Sequence, residues 1–269
     1  MNQRIDNILV IKVGTSTLTR RSKNGRLELD SKSFKRIGQQ IIELKSAGYA
    51  IAIVSSAAIT AGMVETGLAV RPSNTESFMP TLQALASIGW RHVLNAWDDA
   101  LETVTIGELL VTRQELERDS ERSELLRVTH SLMLSGAIPV INENDAITHE
   151  EIAYGDNDTL AANFAVKLKR SSIFGEKVSV VVLSDIEGVY EDSTDASTII
   201  RQINDIDAYE QVAKETNGAV GTGGMITKFK AARIAHDEGI EFYITYGRAS
   251  RMIKRTLLGK IGTRFSIVF

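Results

Sequence analysis

Gly48-Tyr49-Ala50-Ile51-Ala52-Ile53-Val54 is a glycine followed, after one tyrosine, by an apolar run without polar alternation. A strand with one wet face alternates; a strand covered on both faces does not. Upstream, Phe34, Ile37, Ile41 and Leu44 recur at helical spacing, and Gly48 supplies the stop that frees the chain to reverse. Further upstream lies a second apolar run, Ile8-Leu9-Val10-Ile11. Strand, helix and strand in that order predict a βαβ unit within a buried parallel sheet covered by helices.

The same alternation of elements continues outward. A polar, basic loop near Arg20 to Lys23 separates the first strand from its helix. Ser55-Ser56 is expected to cap an alanine-rich helix from Ala57 to Glu65, and Pro72 and Pro80 bracket a polar link. A long helix from about Thr81 to Leu101 leads to a strand from Val104 to Val111. A further helix is expected over Gln114 to Ser135, its Glu and Arg residues forming a solvated face with local ion pairs. Ile138-Pro139-Val140 reads as a strand. In the second half, the β-branched strand Val178 to Leu183 ends at Ser184-Asp185, with Gly188 and Tyr190 close behind. A helix from Met225 to Glu238, stopped by Gly239, feeds a strand from Ile240 to Thr245, then a final helix and a β-rich tail. There is no repeat and no low-complexity linker, so residues 1–269 read as one α/β domain, a three-layer αβα sandwich around a mostly parallel sheet.

Composition narrows the class of function. The 269 residues carry a net charge of -3 with no long basic run, which argues against nucleic acid as the main partner. No apolar stretch approaches membrane-spanning length and no signal-peptide core follows Met1, so a cytoplasmic protein without membrane contact is expected. With no cysteine there is no thiolate metal site and no disulfide framework. His92, His130, His149 and His236 show no metal-ligand spacing and read as surface or satisfied core residues.

Four segments carry the chemistry. Lys12-Val13-Gly14-Thr15-Ser16 follows the first strand; taken alone it reads as an exposed strand end, but glycine also lets backbone approach a ligand, and a lysine ammonium suits phosphate. Gly221-Thr222-Gly223-Gly224-Met225-Ile226-Thr227-Lys228 opens a helix, placing Lys228 near amides that can face oxyanions; a glycine loop with a surface lysine is its plainer reading. It is not a Walker sequence, whose spacing is absent. Ile141-Asn142-Glu143-Asn144-Asp145-Ala146 and Gly155-Asp156-Asn157-Asp158 place acids and amides behind the strand at Ile138, suited to a small polar molecule and cations, although a polar turn also accounts for Asp156 and Asp158. Two lysines held by an acid between them, with Asp158 as the candidate, meet the demand of phosphoryl transfer for alignment and positive charge.

Together these segments resemble the glutamate 5-kinases, a branch of the amino acid kinase family, over essentially the whole chain. The resemblance implies the amino acid kinase fold, with an acceptor-binding part to about residue 165 and a nucleotide-binding part from about 166. It implies transfer of a phosphoryl group from ATP to the γ-carboxylate of L-glutamate, the first step of proline biosynthesis. Lys12, Lys228 and Asp158 would be catalytic. Ser56, Asp145 and Asn157 would bind L-glutamate, with Ser56 also readable as a helix cap. Lys12, Ser184, Asp185 and Thr222, Gly223, Gly224, Met225, Ile226, Thr227 and Lys228 would bind ATP. Mg²⁺ would accompany ATP, without a protein ligand legible in the sequence. The resemblance further implies proline as a feedback inhibitor, a homo-oligomer (dimer or tetramer) and hand-off of the product to glutamyl phosphate reductase. A form without the C-terminal PUA domain of many bacterial relatives is expected. One departure stands out: the family's Ser-Gly-Ala-Ile is Ser56-Ala57-Ala58-Ile59 here, adding a Cβ where backbone should approach substrate. Two other readings compete: a kinase of the same fold with a different acceptor, and a non-catalytic nucleotide or amino acid sensor. The acids around Asp145 favour an acceptor with a free ammonium group.

Overall fold

The computed structural model describes residues 4–23, 25–148, 157–192, 194–209 and 224–267. In chain order the elements are β1 (Ile8–Val13), the single turn α1 (Thr15–Leu18), β2 (Thr19–Arg21), β3 (Leu27–Leu29), α2 (Ser31–Ser46), β4 (Ala50–Ser55) and α3 (Ala58–Thr66). Then come α4 (Met79–Leu101), β5 (Ile106–Val111), α5 (Arg113–Glu117), α6 (Asp119–Leu134), β6 (Ile138–Glu143) and α7 (Asn157–Arg170). The rest comprises β7 (Val178–Ser184), β8 (Val189–Tyr190), β9 (Ile199–Ile200), β10 (Gln202–Ile203), α8 (Met225–Asp237), β11 (Glu241–Tyr246), α9 (Met252–Leu257) and β12 (Thr263–Phe265).

The central sheet has the order β10-β12-β11-β7-β1-β4-β6-β5. All its pairs are parallel except β11 with β12. Side chains of a strand alternate between faces, and the two cores follow that period. Val10, Val54, Val180 and Val182 pack under α6, α7 and α8. Leu9, Ile11, Ile53 and Val181 pack under α2, α3, α4 and α9. The three-layer sandwich read from the apolar strands is therefore the observed one. No helix among the described residues is long and apolar enough to cross a membrane.

Register gathers the strand ends. Val13 on β1 lies beside Ser55 on β4 and Leu183 on β7, while Ser184 lies beside Tyr246 on β11. The carboxyl ends of four neighbouring strands thus open onto one edge, where an open α/β sheet places its ligand.

The structure corrects the sequence reading in several places. Lys12 is not an exposed strand end: β1 runs two residues beyond Ile11, and Lys12 is only 7% exposed. Its position two residues after Val10 aims it at the α7 and α8 side of the sheet. The basic stretch at Arg20 is a strand of a hairpin, paired antiparallel with Leu27–Leu29 and braced by an Arg20–Glu28 ion pair of 2.6 Å. Strands of three residues are too short to declare a period.

The helix expected over Gln114 to Ser135 is two helices, with Arg118 extended between them at φ -78° and ψ 134°. Leu116 and Leu125 are both buried. In one straight helix residues nine apart lie about 180° apart around the axis, so a break is needed to turn both inward. Thr112 and Glu115 close a capping box on the first segment, and Asp119 and Glu121 occupy the first turn of the second, where acids offset the helix dipole.

The cap expected at Ser55-Ser56 is absent too. The N-cap of α3 is Ala57, in the left-handed region at φ 85°, with no side-chain hydrogen bond. Close helix contact holds it there: a Cβ on Gly89 of α4 would come within 2.0 Å of the Ala58 carbonyl oxygen, and one on Gly62 within 1.9 Å of that of Leu85. An L-residue in this backbone region costs about 1–2 kcal/mol, a strain glycine does not bear. Ala57→Gly is therefore expected to raise stability by about 1 kcal/mol, a Tm gain of roughly 2–4 °C for a domain of this size. Thermal denaturation checks this, and an unchanged or lowered Tm would mean that packing of the buried methyl group outweighs the strain.

Candidate active site

Three buried charged groups meet beneath the strand ends. Asp158, in the first turn of α7, is 1% exposed. Its Oδ1 lies 2.6 Å from Lys12 Nζ and its Oδ2 3.1 Å from Lys228 Nζ, so each carboxylate oxygen takes one ammonium. Lys228 sits one turn into α8, four residues after the N-cap Gly224, as its spacing predicts. Burial pushes the Asp158 carboxyl up, but Lys12 and then Lys228 outweigh it and hold the group below the usual aspartate range. Within this triad cations outnumber the anion two to one. A desolvated cluster of that charge is poor for stability and good for receiving an anion.

A second network starts at Asn157, next to Asp158 in the chain. Asn157 Nδ2 donates to Ser56 Oγ at 2.8 Å and to Asn142 Oδ1 at 3.0 Å, and Asn142 Nδ2 donates to Asp145 Oδ2 at 3.1 Å. Ser56, Asn157 and Asp145, predicted separately, are thus one chain of hydrogen bonds. Its central link, Asn142, was not assigned a role from sequence. The available signal was an amide directly after the apolar run Ile138 to Ile141, where it is 2% exposed and must be satisfied. Asn157 Oδ1 is buried and accepts no hydrogen bond among the described residues, leaving an acceptor for an N–H of a ligand. Partial burial pushes Asp145 up to about 6, opposed by the Asn142 hydrogen bond and by the charge of Arg71. Arg71, in the link between α3 and α4, is a second residue that sequence reasoning left out. Beyond Asp145 the cleft continues into a cavity of about 260 Å³ walled by Trp90, Glu108 and Leu110.

Among the residues expected to hold nucleotide, Ser184 ends β7, with its Oγ donating to Asp185 Oδ1 at 3.1 Å. Met225 is buried in the first turn of α8, Ile226 is exposed, and Thr227 Oγ1 returns a 2.8 Å hydrogen bond to the Gly224 carbonyl. Thr222 and Gly223 lie outside the described residues, as do Gly155 and Asp156. In the first loop, the Gly14 amide is engaged by the Leu183 carbonyl at 3.2 Å, so oxyanion contacts there fall to the leading amides of α1.

The described residues form no protein cage for Mg²⁺. No three acidic or histidine side chains converge as ligands among the described residues, and both oxygens of Asp158 are taken by lysines.

A helix-covered parallel sheet with two lysines and an aspartate at its carboxyl edge defines a class of small-molecule kinase, and the profile of the amino acid kinase family matches residues 7–246. This chain belongs to the amino acid kinase family. Within that family it is 34% identical over 264 residues to the glutamate 5-kinase of Symbiobacterium thermophilum, covering 96% of this chain and 95% of that protein. It is likewise 34% identical over 270 residues to the glutamate 5-kinase of Clostridium tetani, covering 97% and 94%. The glutamate 5-kinase of Vibrio vulnificus is 36% identical over 265 residues, but the match spans 66% of that longer protein. Among solved structures, the carbamate kinase of Giardia lamblia bound to AMP-PNP superposes with a TM-score of 0.62 over the full length of both chains at 15% identity. An isopentenyl phosphate kinase gives 0.62 over 96% of this chain and all of its own at 18% identity. At such identities the likeness establishes the fold.

Proposed function

We propose that this chain is a glutamate 5-kinase, transferring the γ-phosphoryl group of ATP to the γ-carboxylate of L-glutamate. The observation that carries the reading is the buried Lys12–Asp158–Lys228 triad, in a chain whose relatives of equal length are glutamate 5-kinases. A carboxylate oxygen of glutamate attacks the γ-phosphorus in line. The new O–P bond forms as the bond to the β,γ-bridging oxygen breaks, and ADP leaves with that electron pair. No proton moves, because the attacking carboxylate is already ionised at neutral pH, so no general base is needed. Lys12 and Lys228 stabilise charge on the transferring group, and Asp158 orients both. Bound Mg²⁺ would supply further charge neutralisation on the phosphates.

Asp145 meets the α-ammonium of the acceptor, while Ser56 and Asn157 satisfy its polar groups without adding repulsion to a dianionic substrate. An N-acetylated acceptor would present no cation to Asp145, and this favours a free amino acid over the other acceptors of the fold. Ser184, Asp185 and the segment from Thr222 to Lys228 hold ATP. In the same reading the enzyme acts in the cytoplasm as a homo-oligomer in proline biosynthesis and passes its reactive acyl phosphate to glutamyl phosphate reductase. Proline competes with glutamate at Asp145 and the loop from Ile141 to Glu151, of which His149, Glu150 and Glu151 lie outside the described residues. Glutamate kinetics unchanged by saturating proline would remove that part.

Hydroxylamine traps an acyl phosphate as a coloured hydroxamate. ATP-dependent hydroxamate is expected with L-glutamate, and not with L-aspartate or N-acetyl-L-glutamate, and it should vanish in Lys12→Ala. Absence of signal with every acceptor, from folded protein that binds ATP, would favour the sensor.

The pH dependence has a defined sign. The ammonium needs the carboxylate form of Asp145, and in the free site this group titrates at about 6. Acceptor affinity is therefore full above that value and falls below it. KM for glutamate is expected to rise about fourfold by about pH 5.5, the factor by which the ionised fraction has fallen. Asp145→Asn should start with a high KM and lose this pH dependence; an unchanged profile would place the titrating group elsewhere.

A further inference from the structure

We propose that Arg248 is a positioning residue for phosphoryl transfer, clamping the turn that follows Lys12 so that this lysine and the Gly14–Ser16 loop are presented in fixed geometry to the nucleotide. The inference rests on the kinase reading and adds to it a residue from the far end of the chain.

Arg248 lies two residues beyond β11, and its Nη2 crosses to the loop after β1. It donates to the Ser16 carbonyl at 2.9 Å and to the Thr19 carbonyl at 2.6 Å. Because α1 is a single turn of four residues that gives way at once to β2, these carbonyls lack the amides a continuing helix would supply. The guanidinium takes their place. Its Nη1 lies 3.9 Å from Asp30 Oδ2, and Asp30 is 6% exposed and accepts a 2.7 Å hydrogen bond from Ser33 Oγ at the start of α2. The Asp30 amide in turn donates to the Leu18 carbonyl at 2.8 Å. Arg248 thus ties both ends of the turn to a buried carboxylate anchored on a long helix.

The neighbouring Gly247 makes this reach possible. Its amide donates to the Ser184 carbonyl at 2.8 Å, and a Cβ on it would come within 2.6 Å of Thr17 Cγ2. The strand end that carries Ser184 and the turn that follows the Lys12 strand are therefore joined through one dipeptide, Gly247-Arg248. Phosphoryl transfer depends on alignment, and a displacement of about 1 Å costs about 10²-fold in rate. A planar fork with several N–H groups addresses two carbonyls and a carboxylate together, which a single lysine ammonium does not reproduce.

The test compares the parent enzyme with Arg248→Ala and Arg248→Lys. Arg248→Ala is expected to lower kcat by about tenfold or more and to raise KM for ATP, leaving KM for glutamate within about twofold. The Arg248 side chain is 36% exposed, so guanidinium ion can enter the space it vacates. Guanidinium chloride at about 20–50 mM, well below unfolding concentrations, is expected to restore part of the loss in the alanine variant and nothing in the parent. Arg248→Lys should remain impaired. Parental kcat and KM for ATP in Arg248→Ala would overturn the proposal, and so would a loss that guanidinium does not relieve. Affinity for a non-hydrolysable ATP analogue separates this proposal from the acceptor reading. Should the parent bind the analogue yet phosphorylate no glutamate, weaker binding by Arg248→Ala would still support the clamp and equal binding would refute it.

Discussion

Lys228→Met is expected to fold with near-parental stability and to lose about 10²- to 10³-fold in kcat, with a much smaller effect on KM for glutamate. The two halves of this expectation come from the same charge count. Lys12, Lys228 and Asp158 are all buried, and two ammonium groups share one carboxylate. Replacing Lys228 by a methionine of similar length leaves Lys12 and Asp158 as a balanced pair, relieving ammonium repulsion in a desolvated place. In the proposed reaction the excess positive charge that is lost faces the phosphoryl group in transit, where a preorganised charge is worth several kcal/mol of barrier. Steady-state kinetics alongside thermal denaturation separate the two effects. Parental kcat would remove Lys228 from the mechanism, whereas a large fall in Tm would show that the lysine is structural.

Asp158→Asn should behave in the opposite way towards stability. Its amide occupies nearly the same volume but leaves two buried ammonium groups about one side chain with no counter-charge in the triad. Removing one partner of a buried ionic cluster costs about 3–5 kcal/mol. For a domain of this length that corresponds to a Tm loss of about 10 °C, accompanied by a severe loss of kcat as the lysines move apart. A Tm within about 2 °C of the parent would mean that Asp158 is not the group that holds the lysines together. The sign of the pH effect follows from the lowered pKa of Asp158. Its contribution to stability is complete above the unfolded-state value near 3.8 and is lost as pH falls through the lower folded-state value, so it is constant across the neutral range. The titration expected near 6 is that of Asp145.

The site therefore joins two electrostatic designs on one sheet edge. The phosphoryl side is strongly desolvated and rich in positive charge. The acceptor side is a hydrogen-bonded amide chain ending in a half-buried acid, with Asn142 linking Asp145 to Asn157 and through it to Ser56. In the proposed function a dianionic amino acid with one ammonium group lies between them, its γ-carboxylate toward Lys12 and Lys228 and its ammonium toward Asp145. The Gly247-Arg248 clamp lies behind the first of these regions.

What the linear chain determined was set by local rules. Uninterrupted apolar strands such as Ala50–Val54 have no wet face, so a covered parallel sheet follows from Ile51 and Val54 without knowing what covers them. Lys228 four residues after Gly224 falls in the first turn of α8 by helix geometry alone. The quoted acids and lysines were likewise visible as chemistry. What only the tertiary structure decided were relations between distant segments. Asp158 meets Lys228 across 70 positions, Asn157 meets Asn142 across 15, and Arg248 meets Ser16 across 232. The left-handed Ala57 and the break at Arg118 are of the same kind. Each follows from packing, the first held by close contact of α3 with α4 and the second by the need to bury both Leu116 and Leu125. Neither local propensity nor residue spacing records which surfaces a helix will meet, because that is settled by burial summed over the whole core.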